Sequence, residues 1–172
     1  DRSRMLRKLK RATSLRVEHD GRQFFAPQDA DELASLVKRH PDATILAGGT
    51  DIGLWVTKQH RALDTIIYTG RVADLQAVTI VDSYIDIGAA ATLSDAIPVI
   101  VEHYPGLDEM FRRFASPPIR NAGTLGGNIA NGSPIGDSMA ALMVLDTFLV
   151  LRCGDAEREI PLRDFYHDYM VN

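Results

Sequence analysis

The chain lacks most of the residue patterns on which common metal and hydrolase sites are built. Its single cysteine, Cys153, excludes an internal disulfide, a four-cysteine zinc site and an iron-sulfur cluster made by this chain alone. The five histidines are scattered, with no pair three or four residues apart, so we predict no metal site. No serine lies in a G-x-S-x-G turn. We therefore predict no catalytic acid, base or nucleophile in this chain.

Long hydrophobic runs are also absent. The richest apolar stretch, 139–151, is interrupted by Asp146 and Thr147, so the sequence predicts no membrane span. The beginning of the chain has no apolar run of the length that a signal peptide requires. We therefore expect a cytoplasmic protein.

Basic charge is scarce beyond the first residues. The net charge is -4, yet residues 1–16 carry seven Lys or Arg against one Asp, so the remainder is strongly acidic. An acidic surface opposes binding to nucleic acid phosphates, and the basic segment has no interleaved aromatic residues for stacking on bases. We predict no nucleic acid partner and interpret residues 1–14 as a basic tether from an upstream segment.

Local patterns predict a small β/α lobe over 15–69 and a second lobe over 70–172. In the first lobe the patterns predict a hairpin over 15–25, a helix over 29–39, a buried strand over 43–47 and a strand over 65–68. In the second lobe they predict a hairpin over 78–89, a helix over 93–103 with a Thr92–Asp95 capping box, a core-facing helix over 107–115 that Pro117-Pro118 stop, a helix over 138–145, and strands over 148–152 and 158–160.

Glycine is concentrated in two short windows. Eight of the thirteen glycines lie within 48–53 and 123–136. Because glycine adopts positive φ and has no Cβ, successive backbone N–H groups can converge on an anion. Arg120 is the only basic residue in or beside either window, so a phosphate would be held mainly by neutral donors. Ordinary tight turns are the alternative explanation.

Neither window carries a standard nucleotide fingerprint. There is no G-x-G-x-x-G, and no lysine follows either glycine cluster, which disfavours the common dinucleotide fold and the P-loop. Asp137 ends the second window just before a predicted helix. It would cap that helix, accept hydrogen bonds from the ribose or adenine of a nucleotide, or do both.

Two segments together carry a resemblance to a known family. ILAGGTDIG at 45–53, followed by FASPPIRNAGTLGGNIANGSPIGD at 114–137, resembles the paired FAD-binding loops of the molybdenum hydroxylase flavoprotein family, and most of all those of the xanthine dehydrogenase type. The similarity extends from about Arg22 through PLRDFY at 161–166. It implies an α+β fold: a two-lobed FAD-binding domain with a small βαβ lobe, an antiparallel-sheet lobe with helices, and FAD extended between them.

The resemblance also implies roles for individual residues. The first loop would wrap the FAD pyrophosphate, with Thr50 donating its hydroxyl, through Leu46, Ala47, Gly48, Gly49, Thr50 and Asp51. Thr124, Gly127 and Asn128 would complete the pyrophosphate and ribityl contacts. Ser133 and Asp137 would lie toward the adenosine half. Phe114 would either stack near the isoalloxazine or belong to the apolar core.

The implied function is that of one part of a larger enzyme. The chain would be the FAD-binding portion of a xanthine dehydrogenase-type oxidoreductase, passing electrons from [2Fe-2S] clusters through FAD to NAD while hypoxanthine or xanthine is oxidised. A [2Fe-2S] domain upstream, a molybdopterin-binding subunit and NAD are the expected partners, within a larger oligomer. A C-terminal flavoprotein subdomain would follow residue 172, so we expect the isolated chain to be inactive.

Two alternatives stay open. One is the flavin subunit of a related carbon monoxide, nicotinate or aromatic acyl-CoA oxidoreductase. The other is a flavin-free interaction module whose glycines only form turns.

Overall fold

A computed structural model describes residues 13–133 and 135–167 of the chain. The predicted tether over 1–14 therefore lies almost entirely outside the described residues. The strands are β1 Leu15–His19, β2 Arg22–Ala26, β3 Thr44–Leu46, β4 Thr65–Tyr68, β5 Val78–Val81, β6 Tyr84–Ile87, β7 Phe148–Cys153 and β8 Ala156–Pro161. The helices are α1 Ala30–Arg39, α2 Ile52–Thr57, α3 Leu93–His103, α4 Asp108–Arg113, α5 Pro117–Ala122, α6 Leu125–Asn131 and α7 Asp137–Val144.

Residues 15–68 contain the four strands of one sheet, ordered β1-β2-β4-β3. β1 pairs antiparallel with β2, whereas β2 and β3 both pair parallel with β4. Helix α1 connects β2 to β3 and packs Leu36 against Phe25 and Ile67. This is the βαβ arrangement that the sequence resemblance implied.

A strand forms at Thr44–Leu46 as predicted, but the prediction that it is buried was wrong. β3 lies at the edge of the sheet, and its central residue Ile45 is 44% exposed. A short apolar run cannot by itself distinguish a central strand from an edge strand, because strand order depends on pairing with distant residues.

The rest of the chain forms two antiparallel strand pairs and a helical core. β5 pairs with β6, and β7 pairs with β8, as separate two-stranded sheets. The core is built from α3, α4, α6, α7 and the segment at Leu162, and its largest fully buried side chains are Phe111, Ile100 and Leu162. The predicted α+β fold, with a βαβ part and an antiparallel part carrying helices, is confirmed.

Helix α3 begins where the sequence predicted. The Asp95 N–H donates to the Thr92 hydroxyl at 3.1 Å, which satisfies one of the free donors of the first turn. The helix ends at His103, as predicted.

The segment around Pro117 differs from the prediction. Helix α4 ends at Arg113, Phe114 follows it as the C-cap, and Ala115 adopts φ 56. Pro117 and Pro118 start a new helix, α5, because proline lacks an N–H and its fixed φ suits a first helical turn. The prolines therefore mark a helix start, and the predicted helix over 107–115 is two residues shorter at its end.

The β7–β8 turn contacts the first sheet's helix. The Gly154 N–H donates to the Ala34 carbonyl of α1 at 3.0 Å, and Arg152 forms an ion pair with Asp31 at 2.6 Å. These contacts join the two parts of the chain at the side of α1. Among the described residues, no helix is both long and apolar enough to cross a membrane.

Tyr166, near the end of the described chain, forms a hydrogen bond with helix α6. Its hydroxyl donates to the Ile129 carbonyl at 2.7 Å, and burial raises the pKa of the phenol to about 12. A tyrosine in an unfolded chain titrates near about 10. The native state therefore keeps this proton where the unfolded chain has lost it. The contribution of Tyr166 to the free energy of unfolding is therefore complete below about pH 10 and is lost as the pH rises through about 12.

We expect Tyr166→Phe to lower the free energy of unfolding at neutral pH by about 1 kcal/mol, the usual worth of one hydrogen bond. Denaturant unfolding of parent and variant at about pH 8 and about pH 11 measures the difference. The difference in free energy of unfolding between parent and variant should be smaller at the higher pH. A gap that stays constant or widens would show that Tyr166 does not keep its proton in the folded state.

Candidate cofactor-binding site

The first glycine loop, 46–51, follows the carboxyl end of strand β3. Gly49 has φ 70, a left-handed conformation in which a side chain is strained. This turn leads into α2, whose N-cap position is Asp51. Among the described residues, no acceptor receives the backbone N–H groups of Gly48, Gly49, Thr50 or Asp51. The loop therefore presents four successive unpaired donors.

The second glycine window contains a helix that the sequence analysis did not predict. Residues 125–131 form α6, with Thr124 as its N-cap. The Gly127 N–H donates to the Thr124 hydroxyl at 3.1 Å, while Leu125 and Gly126 donate to the carbonyls of Ala91 and Ala89 at 3.0 and 3.1 Å. The expectation of converging free N–H groups is therefore wrong for this window, because the protein's own oxygens already accept them.

Side chains supply the donors of the second window instead. A threonine hydroxyl can accept one hydrogen bond and still donate its own proton, so Thr124 can cap α6 and bind an anion at once. It is 7% exposed.

Asn128 is held by a residue that the sequence analysis missed. The buried Ser138 hydroxyl donates to Asn128 Oδ1 at 2.5 Å, which leaves the amide NH2 of Asn128 as the free end. The signal that could have found Ser138 is its small polar side chain on an apolar helix face directly after Asp137.

The two loops touch where glycine allows it. A Cβ on Gly48 would lie 2.0 Å from the Ala122 carbonyl oxygen and 2.8 Å from Gly123 Cα. A Cβ on Gly123 would lie 3.6 Å from Thr50 Oγ1. On the other side, a Cβ on Gly127 would lie 4.0 Å from Ala47 Cβ. The first loop therefore packs directly against the backbone at Ala122 and Gly123, next to Thr124 and the start of α6.

The end of the second window folds back along α6. Gly132 ends the helix with φ 59, and the Gly136 N–H then donates to the Ser133 carbonyl at 2.9 Å. A Cβ on Gly136 would lie 3.3 Å from Asn128 Oδ1, so this turn lies beside Asn128.

The alternative that Asp137 caps a helix is wrong. Gly136 occupies the N-cap position of α7, and Asp137 is the first helical residue. Its carboxylate is exposed and makes no hydrogen bond or ion pair with the described residues. The side chain therefore stays available to a ligand on the Asn128 side of the loop.

Phe114 lies in the core. It is 8% exposed, and its ring packs edge-on against Phe111 with the centroids 6.5 Å apart. Of the two roles considered for Phe114, this geometry matches the apolar core. Stacking on a flavin ring stays a prediction.

The predicted site residues therefore fit a pyrophosphate but offer little formal positive charge. The two loops that meet at this junction carry four unpaired backbone N–H groups, the hydroxyls of Thr50 and Thr124 and the amide of Asn128. The guanidinium of Arg120 donates to the carbonyls of Phe114 and Ala115 at 2.8 and 2.9 Å rather than into the junction. Nests of backbone N–H groups hold phosphates in this way without cationic side chains.

Other features of the surface do not compete with this site. A cleft of about 420 Å³ lies at the opposite end of β3 and β4 and is lined by Arg39, His40, Asp42, Thr44, Arg61 and Asp64 among others. In the part of the chain that the structure describes, no group of three or more His, Cys, Asp or Glu could hold a metal ion. Ligands of open α/β sheets bind at the carboxyl ends of strands, where the first glycine loop lies.

Comparison with known proteins points to the same cofactor. Residues 17–172 match the family described as the FAD binding domain in molybdopterin dehydrogenase. The chain is 32% identical over 148 residues to the nicotinate dehydrogenase FAD-subunit of Eubacterium barkeri, covering 84% of this chain and 50% of that protein. It is 30% identical over 138 residues to a xanthine dehydrogenase FAD-binding subunit of Escherichia coli O157:H7, covering 78% and 47%.

A solved structure is similar as well. A carbon monoxide dehydrogenase from Hydrogenophaga pseudoflava superposes with a TM-score of 0.76 at 28% identity, over 90% of this chain and 53% of that one. The chain thus spans about half the length of these relatives.

Proposed function

The chain belongs to the family of FAD-binding domains in molybdopterin dehydrogenases, and we propose that its two glycine loops hold FAD for an enzyme of the xanthine dehydrogenase type. When bound, the flavin supplies the electron transfer and hydride chemistry, which no side chain of this chain provides. The observation that carries the proposal is the row of unpaired N–H groups at 48–51, on a loop that packs directly against Ala122 and Gly123 beside Thr124.

Each part of the cofactor has a region of the site to match. The N–H groups of 48–51 and the hydroxyls of Thr50 and Thr124 would donate to the pyrophosphate. Because Gly127 has no side chain, the protein backbone there could approach the pyrophosphate closely. The Asn128 amide would reach the ribityl chain of FAD. Ser133 and Asp137 would lie toward the adenosine half. The remaining named residues of the first loop, Leu46 and Ala47, would line its apolar side.

We expect the isolated chain to bind FAD weakly. The predicted residues provide donors for phosphates and adenosine, but the one aromatic among them, Phe114, is buried in the core. The isoalloxazine would therefore be covered on few sides, and its burial would add little affinity. In the longer relatives, additional chain could form that wall.

Competition between nucleotides tests this division of contacts. FAD is titrated into the chain while flavin fluorescence is followed, and ADP, FMN and riboflavin are then used as competitors. ADP should compete within about tenfold of FAD. FMN, which lacks the adenosine monophosphate half, and riboflavin, which lacks both phosphates as well, should be at least about tenfold weaker. If FMN competes better than ADP, the assignment of the loops to the pyrophosphate and adenosine is incorrect. Absence of any FAD binding would favour the interaction module.

The finer proposal concerns the complete enzyme. We infer that FAD here accepts electrons from [2Fe-2S] clusters and passes them to NAD during hypoxanthine or xanthine oxidation, with a molybdopterin-binding subunit as partner. The similarity to xanthine dehydrogenase FAD subunits supports it, but nicotinate and carbon monoxide dehydrogenases are similar to nearly the same degree. The assembled enzyme decides: anaerobic addition of hypoxanthine should bleach the flavin absorbance. Bleaching by nicotinate or carbon monoxide alone would assign the related activity instead.

A further inference from the structure

Helix α5 is short and has no buried side chain to anchor it. Its six residues bury no side chain: Arg120 is half-buried and the others are exposed. A helix of this length is not stable alone in water, and most helices are held by an apolar face. The N-cap residue Ser116 adds no side-chain cap. Contact with α3 and side-chain hydrogen bonds at both ends therefore hold α5 in place.

The side-chain hydrogen bonds at the start of α5 come from one residue. Arg120 Nη1 donates to the carbonyls of Phe114 and Ala115 at 2.8 and 2.9 Å. Among the described residues, no carboxylate pairs with this guanidinium. Bonds from a charged donor are stronger than neutral ones, so two of them make a firm contact.

The turn that Arg120 holds is strained. Ala115 has φ 56, a conformation that is unfavourable for any residue with a Cβ. In this turn two successive carbonyls point toward a single nitrogen, which is the arrangement that Arg120 binds. The strain of Ala115 and the two hydrogen bonds of Arg120 are therefore coupled.

The far end of α5 supports the first glycine loop. Ala122 and Gly123 are the backbone against which Gly48 packs, and the Leu93 N–H donates to the Gly123 carbonyl at 2.9 Å. A second side-chain bond joins Ser94 of α3 to Asn121 at 2.5 Å. A shift of α5 would thus move the surface on which the first loop rests.

We propose that Arg120 is a positioning residue: by holding the left-handed turn at Phe114–Ala115 it fixes α5, and through α5 it sets the spacing of the two glycine loops. The inference rests on the proposed FAD site but assigns Arg120 no contact with the phosphates. A basic side chain beside phosphate loops would ordinarily be expected to bind the anion directly. Both of its observed hydrogen bonds go to the main chain instead.

Substitutions at both ends of this contact test the proposal. FAD affinity is measured for the parent, Arg120→Ala, Ala115→Gly and the double variant. Arg120→Ala should weaken FAD binding at least about tenfold, because the strained turn relaxes and α5 shifts. Ala115→Gly alone should stay within about threefold of the parent. The double variant should recover most of the loss, since glycine adopts the left-handed turn without strain.

Arg113→Ala is the matched control. Arg113 is an exposed arginine seven residues earlier that pairs with Glu109 on its own helix. Its removal takes away the same charge and should leave FAD affinity within about threefold. An equal loss of FAD affinity in both arginine variants would mean that Arg120 acts only as one of several positive charges that attract the anionic FAD. A double variant as weak as Arg120→Ala would mean direct contact with the phosphates. Either result overturns the proposal, as does parent-like binding by Arg120→Ala.

A cofactor-free measurement separates this inference from the proposed function. Hydrogen exchange at the Leu93 and Gly123 amides, which are bonded across and within the end of α5, should accelerate in Arg120→Ala and return toward the parent in the double variant. If the parent binds no FAD, the proposed function fails while this exchange pattern still tests the role of Arg120. Unchanged exchange in Arg120→Ala in a folded protein contradicts it.

Discussion

Replacing Gly48 with alanine is expected to reduce FAD affinity by at least about a hundredfold. The added Cβ would lie 2.0 Å from the Ala122 carbonyl oxygen and 2.7 Å from its carbonyl carbon. Both are main-chain atoms, which cannot rotate away as a side chain could. The two glycine loops would have to separate, which would move the donors at 48–51 away from Thr124. Overpacking of this kind also costs about 1–3 kcal/mol of stability.

Gly106→Ala provides the control for this substitution. Gly106 has no heavy atom within 4 Å of its Cβ position and lies in the 3₁₀ turn at Pro105–Leu107, away from both loops. It should keep the affinity and the melting temperature of the parent. The two variants are compared by fluorescence titration with FAD and by thermal unfolding. Parent-like FAD binding by Gly48→Ala would show that the contact between the loops is not needed for the site.

The second large effect is expected at Asp137. Its carboxylate begins α7, is exposed and has no partner among the described residues, while Gly136 takes the N-cap position. If it accepts hydrogen bonds from the adenosine half of FAD, its removal costs on the order of 1.5 to 3 kcal/mol of binding. Asp137→Ala should therefore weaken FAD affinity about ten- to a hundredfold. In the complete enzyme, substrate oxidation by an artificial acceptor should persist, because Asp137 would not touch the reacting part of the flavin.

The stability of the Asp137 variant is part of the same experiment. The residue's only structural role would be its charge at the start of α7, worth about 0.3 to 1 kcal/mol through the helix dipole. Asp108→Ala is a suitable comparison, since Asp108 also begins a helix and in addition pairs with Arg112 at 2.8 Å. Asp108→Ala should lose at least as much stability and no FAD affinity. If Asp137→Ala lowers stability more than Asp108→Ala and leaves FAD affinity unchanged, Asp137 does not contact FAD.

Much of the fold and the family of the cofactor-binding domain could be predicted from the sequence, because the signals concerned are local. The Asp20-Gly21 turn, the Thr92–Asp95 capping box and the start and end of α3 each depend on residues within a few positions of one another. The two glycine windows and their spacing were sufficient to identify the family, which the comparison with known proteins confirms. The choice of FAD as cofactor follows from that family membership.

Only the tertiary structure shows which hydrogen-bond donors and acceptors of the site pair with each other and which remain unpaired. The sequence could not show that Ala89 and Ala91 accept the first N–H groups of α6, that Ser138 orients Asn128, or that the carbonyls of Phe114 and Ala115 occupy Arg120. Except at Arg120, these partners lie ten or more positions apart in the chain, so no local pattern announces them. The edge position of β3 has the same origin, because its neighbour in the sheet is set by pairing with β4. Composition and spacing specify which groups are present, whereas the packing of distant segments decides which remain free to bind a ligand.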